Sequence, residues 1–275
     1  MSGKLFFIEY NLRLFFWLLF RNFDIYCAID LDTILPIYIN TIVKRKPCVY
    51  DAHEYYTELP EIVDRPAIQK FWKFVARCTL PHIRYNYTVS NAIAGELSEK
   101  YKQPYGVIRN VPALNSNTAT SGIKQKIILY QGAFNKGRGL EELIDAMEFV
   151  DAQLILAGTG DLSAQIRHKA ESKDYRHKIE FAGVLTPEKL KQLTSDALIG
   201  INLIAPLGLS YFYSLSNKFF DYIHAGIPQI CMNYPEYAEI NKTFSIAVLI
   251  NDLDKSTIAE AINLLITDSA LYDRI

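Results

Sequence analysis

The feature that most constrains the fold is an alternation of short β-rich runs with amphipathic helical stretches from Ile127 onward. Hydrophobic patterning predicts six strands in this half of the chain, at 127–131, 153–157, 178–182, 197–203, 228–232 and 246–250. Helix signals lie between them. An amphipathic stretch begins at Leu140, and Thr186-Pro187 has the residue types of a helix N-cap and first turn. This order predicts a parallel sheet covered by helices on both faces.

The first half of the chain has four more strand-like runs with helical sequence between them, at 24–29, 48–50, 87–89 and 106–108. A polar stretch at 113–126 has the composition of a linker. We therefore predict two doubly wound α/β domains, at 1–115 and 122–275. We expect the N-terminal domain to be incomplete, because such a domain normally opens with a strand and a glycine-rich turn. Gly3 is the only glycine before Gly95.

An apolar N-terminal run at 14–20, between Arg13 and Arg21, is shorter than the roughly 20 residues that span a bilayer. Its apolar residues surround most of the helix circumference, so such a helix requires cover on most sides. Two interpretations stay open. The run is either a helix packed on a sheet, or a surface patch in peripheral contact with the inner face of a membrane.

The formal net charge is -1, from 29 basic and 30 acidic residues. Such a balance gives no overall field that would attract nucleic acid, so we expect no nucleic-acid partner, and any anion site must be local. The four cysteines form neither a Cys-x-x-Cys pair nor a Cys/His cluster at metal-ligand spacing. We expect reduced, buried thiols in a cytoplasmic protein, and no metal site.

The first candidate for anion binding is the turn that follows the strand at 127–131, with the sequence Gly132-Ala133-Phe134-Asn135-Lys136-Gly137-Arg138-Gly139. Glycine lets the backbone approach an anion, and a helix N-terminus carries partial positive charge. Lys136 and Arg138 add full charges. The turn predicts a diphosphate cradle, but it matches neither a Walker loop nor G-x-G-x-x-G. A glycine-rich turn with solvated cations is the alternative interpretation.

The second candidate is a helix start at Ser216 and Asn217. Lys218 can meet a phosphate there, and Asp221, one turn further, points along the same face toward a ribose diol. An ordinary capped helix with solvated charges is the alternative.

A third turn follows the strand at 153–157 and contains Gly158 and Gly160. It adds backbone at the carboxyl ends of the strands, where such sheets bind ligands. Taken alone it is a weak signal, because glycines that serve only a tight turn have the same pattern.

These turns, together with Phe181-Ala182-Gly183-Val184 and Asn217-Lys218-Phe219-Phe220-Asp221-Tyr222-Ile223-His224-Ala225-Gly226-Ile227-Pro228, resemble the C-terminal domain of retaining glycosyltransferases of family 4. These are group 1 glycosyltransferases with the two-domain GT-B architecture. The resemblance covers nearly all of 127–275. It implies two Rossmann-like domains that face each other across a cleft, with a nucleotide sugar bound by the C-terminal one.

The resemblance also implies roles for individual residues. Arg138 takes the place of the family's phosphate-binding Lys, Asp221 that of the acid that binds the ribose hydroxyls, and the loop at Val184 and Leu185 edges the nucleobase. The implied donor-binding residues are Gly132, Gly158, Gly160, Val184, Leu185, Ser216, Asn217, Lys218 and Asp221.

Two residues depart from the family pattern. Ala133 stands where a phosphate-binding Arg is usual, and Tyr213 stands where the first Glu of the paired acidic motif would be. Lys136 could replace the missing charge.

In the first half of the chain, Asp51-Ala52-His53-Glu54 is similar to the family's acidic-histidine segment, which implies that His53 contacts the donor sugar or orients the acceptor. The alternative is a structural histidine whose ring is hydrogen-bonded at a strand end.

The resemblance implies retaining, metal-independent hexosyl transfer from a nucleotide-diphosphate sugar to a hydroxyl, with His53, Lys136 and Arg138 as catalytic residues. The acceptor would be a saccharide or lipid-linked molecule in polysaccharide or glycolipid synthesis. No cofactor is expected beyond the donor substrate, whose base, UDP or GDP type, stays open. The alternatives are a non-catalytic nucleotide-sugar-binding protein or partner subunit, and a truncated, inactive glycosyltransferase.

Overall fold

Parallel strands alternate with helices throughout residues 4–113 and 125–275, the part of the chain that the computed structural model describes. These residues form two units. The first extends to Asn110 and also includes the segment Leu207–Ser214, while the second contains Val111–Pro206 and Leu215–Ile275. The segment Leu207–Ser214 thus packs with the first unit, although the chain on both sides of it belongs to the second.

The first unit contains a four-stranded parallel sheet of β1 (Tyr26–Ile29), β2 (Cys48–Ala52), β3 (Tyr85–Thr88) and β4 (Tyr105–Val107). The helices before and between these strands are α1 (Lys4–Leu19), α2 (Ile34–Lys44), α3 (Pro60–Val63), α4 (Pro66–Thr79) and α5 (Asn91–Tyr101). Neighbouring strands follow each other in the chain, in the order β1-β2-β3-β4. The described part of this sheet therefore has no point at which the strand order reverses.

Helix α1 lies mainly against α2, and packing against a sheet was one of the two interpretations left open for this segment. The ring of Phe7 meets that of Trp72 on α4 edge to face at 5.9 Å, and the Asn40 side chain of α2 donates to the Phe15 carbonyl oxygen. The other sides of α1 expose apolar side chains, among them Leu12, Phe16 and Trp17. Among the described residues, no helix is long and apolar enough to cross a membrane.

The second unit contains a six-stranded parallel sheet of β5 (Ile127–Gln131), β6 (Gln153–Ala157), β7 (Ile179–Gly183), β8 (Ile199–Asn202), β9 (Gln229–Met232) and β10 (Ala247–Ile250). The spatial order is β10-β9-β8-β5-β6-β7. The order reverses between β5 and β8, as it does in doubly wound folds. Ligands of such folds bind outside the carboxyl ends of the strands at this reversal.

The remaining helices are α6 (Leu140–Ala146), α7 (Ser163–Glu171), α8 (Pro187–Asp196), α9 (Leu209–Phe212), α10 (Asn217–His224), α11 (Pro235–Phe244), α12 (Lys255–Thr267) and α13 (Ser269–Arg274). Of these, α9 lies in the segment that packs with the first unit. Helix α8 begins as predicted, because the Thr186 side chain accepts a hydrogen bond from the Lys189 N–H at 3.4 Å.

All ten predicted strands are present, and their ends differ from the predicted ones by at most two residues. The expectation of four buried thiols is wrong. All four cysteines are free, but Cys27 and Cys78 are exposed and only Cys231 is fully buried.

Tyr222 of α10 fixes this helix over the reversal between β5 and β8. The two strands pair at two positions, Ile128 with Ile199 and Leu129 with Gly200. The Tyr222 hydroxyl lies within hydrogen-bond distance of the carbonyl oxygens of Leu129 on β5, at 3.1 Å, and Ile201 on β8, at 3.2 Å. Gly200 makes room for the ring, since a Cβ there would lie 2.5 Å from it. The buried Tyr222 therefore holds α10 at the edge where ligands of this fold bind.

Candidate functional site

Two glycine-rich turns join at the carboxyl ends of β5 and β6. The Gly132 N–H donates to the Ala157 carbonyl oxygen at 2.9 Å, and the Phe134 N–H donates to the Thr159 carbonyl oxygen at 3.0 Å. Gly132 and Gly158 have φ values of 134° and 146°, which favour glycine. A Cβ on Gly158 would also collide with the carbonyl oxygen of Gly132. The two turns thus form one continuous backbone surface.

Gly160, in the second glycine turn, also allows the two turns to pack closely. A Cβ on this residue would lie 2.6 Å from the Phe134 nitrogen and would collide with the Asn135 side chain. The Asn135 Oδ1 atom accepts a hydrogen bond from the Asp161 N–H at 3.2 Å. The structure therefore gives Gly158 and Gly160 a packing role, while their contact with a donor stays a prediction.

Lys218, in the first turn of α10, lies beside the first glycine turn. Its Nζ atom is 4.1 Å from the centre of the Tyr130 ring, and a Cβ on Gly132 would lie 3.6 Å from the same atom. Burial, together with the nearby positive charge of Arg138, lowers the pKa of Lys218 to about 7. The structure thus brings together three of the predicted residues, Gly132, Lys218 and Arg138.

Lys136 and Arg138 occupy the turn before α6. Lys136 is exposed and Arg138 is partly buried. Gly139 follows them with a φ of 65°, and a Cβ there would lie 2.6 Å from the Leu203 Cβ atom. The glycine lets this turn pack closely on the chain that leaves β8, so both cations lie near the strand-order reversal.

Asp221 is held by a side chain that the sequence analysis did not single out. The Gln131 Nε2 group donates to the Asp221 Oδ2 atom at 2.8 Å, and the Thr194 hydroxyl donates to the Gln131 Oε1 atom at 2.8 Å. Burial raises the pKa of Asp221, while the Gln131 hydrogen bond and the nearby His224 act in the opposite direction. Asp221 therefore lies at the carboxyl end of β5, as its predicted role requires.

Ser216 occupies the N-cap position of α10, but its hydroxyl makes no capping hydrogen bond. It donates instead to the Asn202 Oδ1 atom at 2.8 Å, while the Ser216 N–H donates to the Tyr237 hydroxyl at 3.1 Å. The helix thus begins where it was predicted, but the Ser216 side chain does not cap it. Asn217, the first residue of the helix, is exposed.

Val184 and Leu185 follow β7 and adjoin the second glycine turn, because the Gly158 N–H donates to the Gly183 carbonyl oxygen at 2.8 Å. Val184 is 75% exposed. Leu185 is partly buried against the hydrophobic cluster that contains Ala157 and Tyr222. Of the pair, Val184 has the more exposed side chain.

His53 lies in the first unit, directly after β2. It is exposed, and its Nε2 atom is 3.2 Å from the Asp51 Oδ2 atom, which also accepts from the Tyr87 hydroxyl at 2.9 Å. This arrangement agrees with the interpretation of a histidine whose ring has its polar partner at the strand end. A catalytic role for His53 stays a prediction.

Two acidic residues that follow β1 were not among the predicted site residues. Asp30-Leu31-Asp32 is an Asp-x-Asp pattern directly after a strand, and that spacing was the available signal. The Asp30 Oδ1 atom is buried without a hydrogen-bond partner, and burial, reinforced by Glu54, raises the pKa of Asp30 to about 7. Across 4–113 and 125–275, no group of three or more His, Cys, Asp or Glu residues is placed to hold a metal ion.

Tyr213, at the position of the family's first Glu, packs within the first unit. Its hydroxyl donates to the Glu96 Oε1 atom at 3.3 Å, and its carbonyl oxygen accepts from the Ser90 hydroxyl at 2.9 Å. Ala133, the other departure, is exposed in the first glycine turn. Neither residue offers a charge to an anion.

The family model for glycosyl transferases group 1 matches residues 115–275, more than half of the chain. The chain belongs to this family. A curated relative, an uncharacterized glycosyltransferase of Methanocaldococcus jannaschii, is 30% identical over 91 residues, which are 31% of this chain and 23% of the relative. The chain therefore aligns with less than a quarter of that relative's length.

Solved structures of similar fold cover almost the whole chain. Anabaena Alr3699/HepE in complex with UDP and glucose has a TM-score of 0.75 at 14% identity, over 99% of this chain and 76% of that one. A glycosyltransferase from Rickettsia africae has a TM-score of 0.71 at 15% identity, over 97% and 72%. At these identities the likeness concerns the fold, and it confirms the predicted α/β class of the GT-B type.

Proposed function

We propose that this protein transfers a sugar from a nucleotide-diphosphate sugar to a hydroxyl group, with the nucleotide held by the second unit. One observation carries the proposal. Gly132, Lys218 and Asp221 all lie at the carboxyl ends of the strands beside the strand-order reversal, where doubly wound sheets bind ligands. The Anabaena structures that share the fold were solved with UDP or UDP-glucose, which supports a nucleotide-sugar ligand.

In this proposal the ribose hydroxyls donate to Asp221, and the diphosphate lies between the first glycine turn and Lys218. Lys136 and Arg138 add positive charge beside it. The nucleobase lies along Val184, and the remaining predicted donor contacts come from Leu185, Gly158, Gly160, Ser216 and Asn217. Sugar transfer places negative charge on the departing nucleoside diphosphate, so preorganised positive groups at this position lower the barrier.

We further propose retention of anomeric configuration without a metal ion, as in family 4, because three protein cations supply the required charge. A hexose is the proposed sugar, and a saccharide or lipid-linked molecule of polysaccharide or glycolipid synthesis is the proposed acceptor. His53 would orient the acceptor hydroxyl, with Asp51 fixing its ring. The proposed location is the cytoplasm, with the exposed apolar face of α1 available for peripheral membrane contact.

A second candidate is a nucleotide-sugar-binding protein or partner subunit that does not catalyse transfer. Two observations favour it. Ala133 and Tyr213 leave the donor site with fewer charged groups than the family pattern has, and the four described strands of the first sheet pair in simple chain order.

The experiment that separates the candidates is a transfer assay with UDP- and GDP-sugars on a lipid-linked or saccharide acceptor extract, with NMR of the product's anomeric proton. The first candidate predicts a glycosylated product that retains the donor's configuration. Arg138→Ala should lower the transfer rate about a hundredfold by removing one charge at the leaving group. Exposed Lys191 on α8 provides the control, because Lys191→Ala removes a charge outside the proposed site. Nucleotide binding with neither transfer nor donor hydrolysis would favour the second candidate.

A further inference from the structure

Gln131, the last residue of β5, is a buried amide between two other side chains. It is 4% exposed. Its Nε2 group donates to Asp221 of α10, and its Oε1 atom accepts from the hydroxyl of Thr194 on α8, which is also buried. A buried amide that is hydrogen-bonded at both ends is held in one conformation, because leaving either end unpaired would cost free energy.

The orientation of this amide follows from its partners. A carboxylate only accepts hydrogen bonds, so the amide nitrogen of Gln131 faces Asp221 and the amide oxygen faces Thr194. The Thr194 hydroxyl lies 2.7 Å from the Leu190 carbonyl oxygen as well, which holds it in place on α8. The single proton of this hydroxyl is shared between the two oxygens, so the Asp221 carboxylate fixes which end of the Gln131 side chain faces it.

We infer that Gln131 is a positioning residue for the nucleotide: it holds the Oδ2 atom of Asp221 and leaves the Oδ1 atom to accept from a ribose hydroxyl. This inference rests on the proposed function, because it takes the ribose contact of Asp221 from there. Tyr222 fixes the helix itself over the strand-order reversal, whereas Gln131 fixes the direction of the one carboxylate that the ligand meets.

The same hydrogen bond favours the charged form of the carboxylate. Burial raises the pKa of Asp221, and the Gln131 donor counteracts this effect. His224, on the same helix, is the titratable group that acts on Asp221, while the facing side chains from β5 and α8 are the neutral Gln131 and Thr194. Loss of the Gln131 donor therefore raises the pKa of Asp221 further, and nucleotide binding should fail at a higher pH.

The test is calorimetric titration of UDP and of GDP into the full chain between pH 5 and 8. Gln131→Met keeps the side-chain length and removes the donor. We expect about tenfold weaker binding at pH 7.5, the effect of losing one hydrogen bond to a charged group. We also expect an upward shift of the pH below which affinity is lost. Thr194→Val should shift that pH in the same direction by less, and it serves if Gln131→Met does not fold.

Gln229 supplies a matched control. It is fully buried in β9, and its amide donates to the Phe219 carbonyl oxygen of α10 at 3.0 Å, without an observed bond to Asp221. Gln229→Met removes an equivalent anchor of the same helix, so it should leave the pH midpoint of binding unchanged. Each variant is also measured in combination with His224→Gln, which removes the imidazole that acts on Asp221.

Asp221→Asn distinguishes a failure of the proposed nucleotide site from a failure of the role inferred for Gln131. Wild-type affinity in this variant would overturn the proposed nucleotide site itself. Weak binding by Asp221→Asn, combined with unchanged affinity and pH midpoint in Gln131→Met, would overturn only the inference about Gln131. If the inference holds, Gln131→Met combined with Asp221→Asn binds no more weakly than Asp221→Asn alone, because both remove the same interaction.

Discussion

The ammonium group of Lys218 lies 4.1 Å from the centre of the Tyr130 ring, and the Tyr130 hydroxyl donates to the carbonyl oxygen of Ala133 at 2.8 Å. One aromatic side chain of β5 thus contacts both the cation of α10 and the backbone of the first glycine turn. Cation–π attraction and the turn hydrogen bond together bring the two predicted phosphate-binding elements to the same place.

The charge of Lys218 should make nucleotide binding depend on pH. Its pKa in the free protein is lowered to about 7, so the amine loses its proton above that pH. A bound diphosphate favours the protonated form and raises this pKa, so binding takes up a proton. We predict that affinity for a nucleoside diphosphate falls about tenfold per pH unit above pH 7, until the pKa of the complex is reached.

Calorimetry at pH 7 to 9, in two buffers of different ionisation enthalpy, measures both the affinity and the proton uptake. Lys218→Met should bind more weakly at pH 7 and should lose the uptake. Lys191→Met, at an exposed position on α8, is the charge-matched control. An affinity that stays constant from pH 7 to 9 in the wild-type protein would contradict the assigned charge.

The contact between the two glycine turns should be sensitive to a single methyl group. Gly158→Ala places a Cβ against the carbonyl oxygen of Gly132 at a positive φ, and we expect a loss of at least about 2 kcal/mol in unfolding free energy. Gly183→Ala is the matched control, with a φ of 66° and no atom within 4 Å of the added Cβ. It should cost only about 1 kcal/mol, for backbone strain. Equal losses in urea denaturation would show that the collision is unimportant.

The packing of α10 over the strand-order reversal leads to a third prediction. Gly200→Ala places a Cβ 2.5 Å from the Tyr222 ring, so the helix must shift, and we expect a loss of about 1–3 kcal/mol in unfolding free energy. Nucleotide affinity should fall as well, because Asp221 moves with Tyr222. Restoring space with Gly200→Ala plus Tyr222→Leu should recover part of the stability. No recovery in denaturation would argue against this steric account.

The sequence predicted the architecture of the second unit closely. The bounds of β5 and β6 agree with the predicted ones, since each contains a run of four apolar residues and is followed by a glycine turn. The positions of Lys218 and Asp221 could be inferred for a similar reason. Both follow a helix start, and the carboxyl ends of parallel strands share one edge of the sheet.

The parts that were missed depend on contacts between elements distant in sequence. Gln131 and Thr194 are 63 positions apart, and no local pattern connects them. Ser216 has the residue type of an N-cap, but Asn202 from β8 competes for its hydroxyl. Tyr213 lies just before α10, yet it packs within the first unit, because its partners Glu96 and Ser90 are there.

The central claim is that a nucleoside diphosphate binds at the carboxyl edge of β5 beside α10. Hydrogen-exchange mass spectrometry of the whole chain, with and without saturating UDP or GDP, tests it most directly, because binding slows exchange of the backbone it covers. The account predicts protection concentrated in residues 131–139 and 216–222. Protection confined to other segments, or none at saturation with either nucleotide, would contradict it.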